Sequence, residues 1–171
     1  MADGPSIRPD WSLIEEPCIE GVTVNEIRPV AASTGYLTEI FRAEWFPKNA
    51  TVDQVFQRTL YPGAITGWHA HAETLDRLFC VAGSVRISLF DGRRSSPTYR
   101  KVWQKICGAV RPSVVVIPPG VWHGVETIGP DMAVLINLVD KGYDYEAPDH
   151  WRLPPDTDLI PLKLGTARSS G

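Results

Sequence analysis

The sequence predicts one all-β domain, a sandwich or a closed barrel, and three observations carry that expectation. Short segments with alternating apolar residues recur along the chain, glycines and prolines punctuate the gaps, and no window holds an apolar stripe at helical period. A chain of 171 residues suits a single domain. Such a domain buries roughly 70% of its unfolded surface, enough to hold together without a disulfide or metal.

The segments follow in order. Val22, Val24 and Ile27 open the series, and residues 36–46, 52–60 and 65–71 read as the next strands. Residues 78–82 lead through Gly83 into Val85, Ile87 and Leu89, which alternate with Arg86 and Ser88; Asp91-Gly92 then closes a hairpin. Residues 99–106, 114–117 and 133–139 complete the set. Residues 1–18 read as an N-terminal arm, 19–164 as the domain and 165–171 as a flexible tail. The stretch 143–162 is rich in Pro, Asp and Tyr and reads as irregular, lying across the outside of the barrel or across a subunit partner.

Bulk properties exclude several classes. A net charge of −3 and a pI near 5.8 offer no basic field for nucleic acid or anionic lipid. No stretch approaches the ~18 apolar residues of a membrane span, and no secretory signal is visible. Cys18, Cys80 and Cys107 are odd in number and read as small apolar residues in a reducing cytosol. The acceptor pattern at Asn49 therefore carries no meaning, and a cytoplasmic location is expected.

Histidines carry the chemistry. His69 and His71 stand two apart on a strand and share a face, while Pro118-Pro119-Gly120-Val121-Trp122-His123 places a third imidazole beyond a tight turn. Three imidazoles converging inside a barrel suit zinc, iron, copper, nickel or manganese, with Asp76 or Glu73 completing the set. The plainer reading is a hydrogen-bonded core histidine or an acid/base residue. His150, beside Trp151, reads as a surface residue.

At these residues the chain resembles the cupins. Gly63, His69, His71, Asp76 and Gly83 are similar to the first cupin motif with Asp in place of Glu, and residues 118–123 to the second. Within the cupins it resembles the dTDP-4-dehydrorhamnose 3,5-epimerases through residues 35–41, 67–69, 96–99 and 117–124. The resemblance implies a jelly-roll barrel, a homodimer and a metal-free reaction: proton removal and return beside the keto group of a nucleotide-linked sugar. It assigns the general base to His69, the positive charge near the enolate to Arg77 and a second pocket histidine to His123. It also places Glu39 in the substrate pocket. Two arginines of the family stand here as Thr34 and Thr66, and the proton-returning tyrosine falls near Ile136-Asn137, with Tyr143 or Tyr145 as substitutes. Asp156 and Asp158 are candidates for the carboxylate that orients the base. Tyr36, Trp68 and Trp122 could stack on a ring or simply pack. Arg42, Arg58 and Arg86 are candidate anion partners or solvated strand residues.

Three functions follow: a divergent sugar epimerase using His69, Arg77 and His123; a metal-dependent oxygenase or lyase using His69, His71, Asp76 and His123; and a non-catalytic small-molecule binder.

Overall fold

A computed structural model of the chain describes residues 9, 18–46 and 51–165. Two five-stranded antiparallel sheets form the body. In the first, β1 (Thr23–Glu26), β9 (Ser113–Ile117), β6 (Asp76–Ala82), β11 (Ala133–Val139) and β4 (Gln54–Leu60) lie side by side in that order. In the second the order is β12 (Trp151–Leu153), β5 (Trp68–Ala70), β10 (Val121–Thr127), β7 (Ser84–Asp91) and β8 (Val102–Gly108). A small hairpin of β2 (Val30–Ala32) and β3 (Gly35–Leu37) stands apart. This is the jelly roll that the motifs implied.

Alternation decides the layers. Leu78 and Cys80 of β6, Val115 and Ile117 of β9, Val85, Ile87 and Leu89 of β7, and Val121 and Val125 of β10 meet between the sheets in one buried cluster. Each fully buried side chain of this kind contributes about 1.5–3 kcal/mol. The residues between them point the other way. Phe79, Val114 and Val116 are covered by Ile27, Phe46 and Leu75 on the outer face of the first sheet. Trp68 and Phe90 are covered by Ile160 and Leu164 on the outer face of the second. Gly83 passes the chain from one sheet to the other at φ +71°, where an added Cβ would lie 2.4 Å from the Met132 carbonyl oxygen. Only glycine fits there.

Several expectations are corrected. Residues 36–46 form no long strand: only Gly35–Leu37 pairs, and Ala43–Trp45 is a 3₁₀ turn. That segment folds over the first sheet instead, stacking Phe41 on Phe46 with ring centroids 5.4 Å apart. The stretch 143–162 contains β12, whose residues Trp151, Arg152 and Leu153 pair with Ala70, His69 and Trp68. Nearly all of the proposed arm and tail lies outside the described residues, as does Asn49. Among the described residues no helix is long and apolar enough to cross a membrane, and the three cysteines are free.

Asp91-Gly92 forms no tight turn, although β7 and β8 do pair. The connection between them is a longer loop tied to Asp91, whose fully buried carboxylate accepts bonds from Arg93, Ser96 and Thr98. Burial opposes the charge, but these donors outweigh it and hold the carboxyl well below the usual range. A depressed folded-state value stabilises the protein above the unfolded-state pKa, and the benefit is lost as pH falls toward the folded one. Asp91→Asn is expected to cost about 3 kcal/mol in urea unfolding at pH 7. The gap between native protein and D91N should hold down to about pH 4 and narrow below it.

Candidate active site

The apolar cluster fills one end of the space between the sheets, and a cavity of about 1150 Å³ occupies the other. Strand parity selects its walls. His69 of β5, Asp76 and Leu78 of β6, His123 and Val125 of β10, Leu135 and Asn137 of β11 and Phe56 and Arg58 of β4 all face inward. The segment from Lys141 to Arg152 closes the remaining side.

His69 lies directly across the ladder from His123, with ring centroids 6.2 Å apart. Its Nε2–H donates to the Thr66 carbonyl at 2.9 Å, so in the neutral ring Nδ1 holds the lone pair. That nitrogen accepts from His150 Nε2 at 2.8 Å. His150 in turn has Arg152 Nη2 3.3 Å from its Nδ1. Burial drives the pKa of His69 down to about 4, and burial followed by the Arg152 charge does the same for His150. Both rings are therefore neutral at physiological pH, and His69 is able to accept a proton.

His71 sits just past β5 and donates from Nδ1 to the Asp149 carbonyl. The Asp149 carboxylate accepts the N–H groups of Ala72, Glu73 and Thr74 and the Thr74 hydroxyl. Burial works against its charge, but these donors prevail and hold Asp149 below the ordinary carboxylate range. Buried His123 is lowered chiefly by desolvation. Asp76, 2% exposed, accepts from Asn137 Nδ2 at 2.6 Å.

The structure thus brings together His69, His71, Asp76, His123 and Asn137, with Tyr143 at the rim. Other sequence assignments do not meet there. Arg77 follows Asp76 on the strand and so faces away; its guanidinium lies 5.5 Å from the Phe41 ring centre and 5.4 Å from that of Phe46, and Nη1 donates to the Leu138 carbonyl. A charge fully buried on the outer face cannot touch an enolate inside. Trp68 and Trp122 flank the inward histidines and by the same parity pack on the outer face of the second sheet. Tyr36 is 70% exposed on the hairpin, and Glu39 is paired with Arg42 at 2.7 Å, both away from the cavity of their own chain. Asp158 pairs with Lys163 rather than with a histidine, and Asp156 does not line the cavity.

His150 is a cavity residue that sequence reasoning left on the surface: half-buried, it lines the cavity against His69. Nothing in an irregular segment signals that. Arg58, one of the candidate anion partners, does face the cavity, because β4 alternates Gln54, Phe56, Arg58 and Leu60 toward it.

Comparison with known proteins agrees with this geometry. The family model described as dTDP-4-dehydrorhamnose 3,5-epimerase matches residues 16–159. A probable low-salt glycan biosynthesis epimerase, Agl13 of Haloferax volcanii, is 34% identical over 141 residues, which is 82% of this chain and 90% of that protein. The crystal structure of a dTDP sugar isomerase from Desulfovibrio desulfuricans G20 superposes with a TM-score of 0.78 at 25% identity, covering 84% of this chain and 90% of that one. ChmJ, a 3'-monoepimerase from Streptomyces bikiniensis solved in complex with dTDP-quinovose, gives 0.75 at 26% identity over 85% of this chain and 76% of its own. A jelly roll with an inward, neutral histidine at the first motif and a second at the other, matched over nearly its whole length, places this chain in the dTDP-4-dehydrorhamnose 3,5-epimerase family as a sugar-epimerase-type isomerase.

Proposed function

We propose that the chain inverts a carbon next to the keto group of a nucleoside-diphosphate-linked 4-dehydro sugar. The observation that carries this reading is His69: neutral, inside a cavity of about 1150 Å³, with its Nε2 proton tied to a backbone carbonyl and its basic Nδ1 hydrogen-bonded to His150 on the cavity wall. The carbon beside a ketone loses a proton because the electrons delocalise onto the oxygen as an enolate. His69 takes that proton at Nδ1, exchanging its hydrogen bond with His150 for a bond to hydrogen. A proton returned to the other face of the same carbon gives the epimer. Tyr143 and Tyr145, packed edge to face with centroids 5.1 Å apart, are the phenols lining the cavity and supply that proton where Asn137 replaces the family's tyrosine.

Arg58 and Arg152 line the same cavity and fit a diphosphate, in place of the arginines absent at Thr34 and Thr66. We read the protein as a cytoplasmic homodimer. Val30, Tyr36 and Leu37 on the hairpin and Val55 on β4 are more than half exposed, an apolar surface suited to a second copy.

Incubation with a dTDP-4-dehydro-6-deoxy sugar in heavy water should give deuterium uptake at a carbon flanking the ketone, followed by NMR. His69→Ala should slow it by about 10²-fold or more. Folded protein that exchanges no such sugar would overturn the reading. Arg58→Met is expected to raise KM about tenfold with little change in kcat, the signature of lost substrate anchoring.

A further inference from the structure

Behind His69 stands a second group of side chains that the proton transfer does not use. His71 Nδ1 donates to the Asp149 carbonyl, and His123 Nδ1 faces the Val121 carbonyl at 3.4 Å. A carbonyl has no proton to give, so both rings carry hydrogen on Nδ1, which leaves Nε2 as the nitrogen of the neutral ring that can ligate. Both Nε2 atoms lie near one oxygen: Asp76 Oδ2 is 3.6 Å from His71 Nε2 and 3.8 Å from His123 Nε2. The other carboxylate oxygen is occupied by Asn137.

Three acceptor atoms therefore converge within 4.8 Å of one another, two of the three residues being buried. Their separations are too long for direct hydrogen bonds. They suit three ligands around one cation at bond lengths of about 2.0–2.2 Å. Each ligand is also held from behind, by the Asp149 carbonyl, the Val121 carbonyl or the Asn137 amide. Such outer contacts are what orient ligands at metal centres.

We propose that His71 Nε2, His123 Nε2 and Asp76 Oδ2 form a binding site for one divalent first-row transition ion, open to the cavity on its remaining positions. Two imidazoles and a carboxylate select zinc, iron, manganese, nickel or cobalt over calcium or magnesium. His69 is not a ligand, because Thr66 and His150 occupy both its nitrogens. The four-residue set expected from the sequence thus reduces to three. If the sugar reading above holds, an ion here adds positive charge to the cavity, a charge that Arg77 cannot bring from the outer face.

Untagged protein stripped with chelator and titrated with Zn²⁺ by calorimetry should bind one ion per chain. With Co²⁺ it should show a visible absorption band of a nitrogen- and oxygen-coordinated ion. Asp76→Asn and His71→Gln should each weaken Zn²⁺ binding at least about tenfold, while His69→Gln leaves it unchanged. His71 is the more exposed ligand, so H71Q decides the matter should D76N unfold. No saturable binding of either ion, or binding that D76N and H71Q leave intact, overturns the site. Binding is read without any sugar, so a failed epimerase reading leaves it standing, and a failed titration leaves proton exchange at His69 standing.

Discussion

The clamp at Asp149 holds the open end of this barrel in order. One residue uses its carboxylate to gather the N–H groups of Ala72, Glu73 and Thr74 and its carbonyl to fix the ring of His71. Those two ties pin the irregular segment 141–150 to the turn between β5 and β6. The cavity gains its fourth wall, and His150, the next residue, is delivered to Nδ1 of His69. Backbone N–H groups that a turn leaves unpaired need acceptors, and a charged one gives the stronger bonds. A structural requirement of the turn thereby sets the geometry of the site.

Strand parity does the remaining sorting. Along β5, β6 and β10 each inward functional residue has an outward neighbour of equal chemical interest: His69 beside Trp68, Asp76 beside Arg77, His123 beside Trp122. Facing directions alternate strictly in an extended chain, so one member of each pair enters the cavity and the other joins an outer layer. The tryptophans and Arg77 consequently hold the covering segments in place. Arg77 packs over the stacked pair Phe41 and Phe46 and keeps that segment against the first sheet.

Membership of the epimerase family and the departures from its pattern are compatible on this geometry. His69, the base of the proposed reaction, has its Nε2 proton locked by the Thr66 carbonyl. Asn137 bridges Asp76 by its amide and the Arg77 backbone N–H by its carbonyl. The amide serves both partners because it offers a donor and an acceptor at opposite corners.

The sequence by itself determined the class of fold and the inward histidines. Both are local: period-two alternation, turn residues and motif spacing are written in neighbouring positions. His69, His71 and His123 could be assigned to one face because two stand two apart at the end of a strand and the third follows a recognisable turn. The tertiary structure decided what was nonlocal. Whether Asp76 or Arg77 faced the cavity depended on the register of β6 between β9 and β11. The capture of His150 by His69 joins residues 81 apart through a segment with no periodic pattern. Sequence pattern reports which residues share an element; only packing reports which elements share a space.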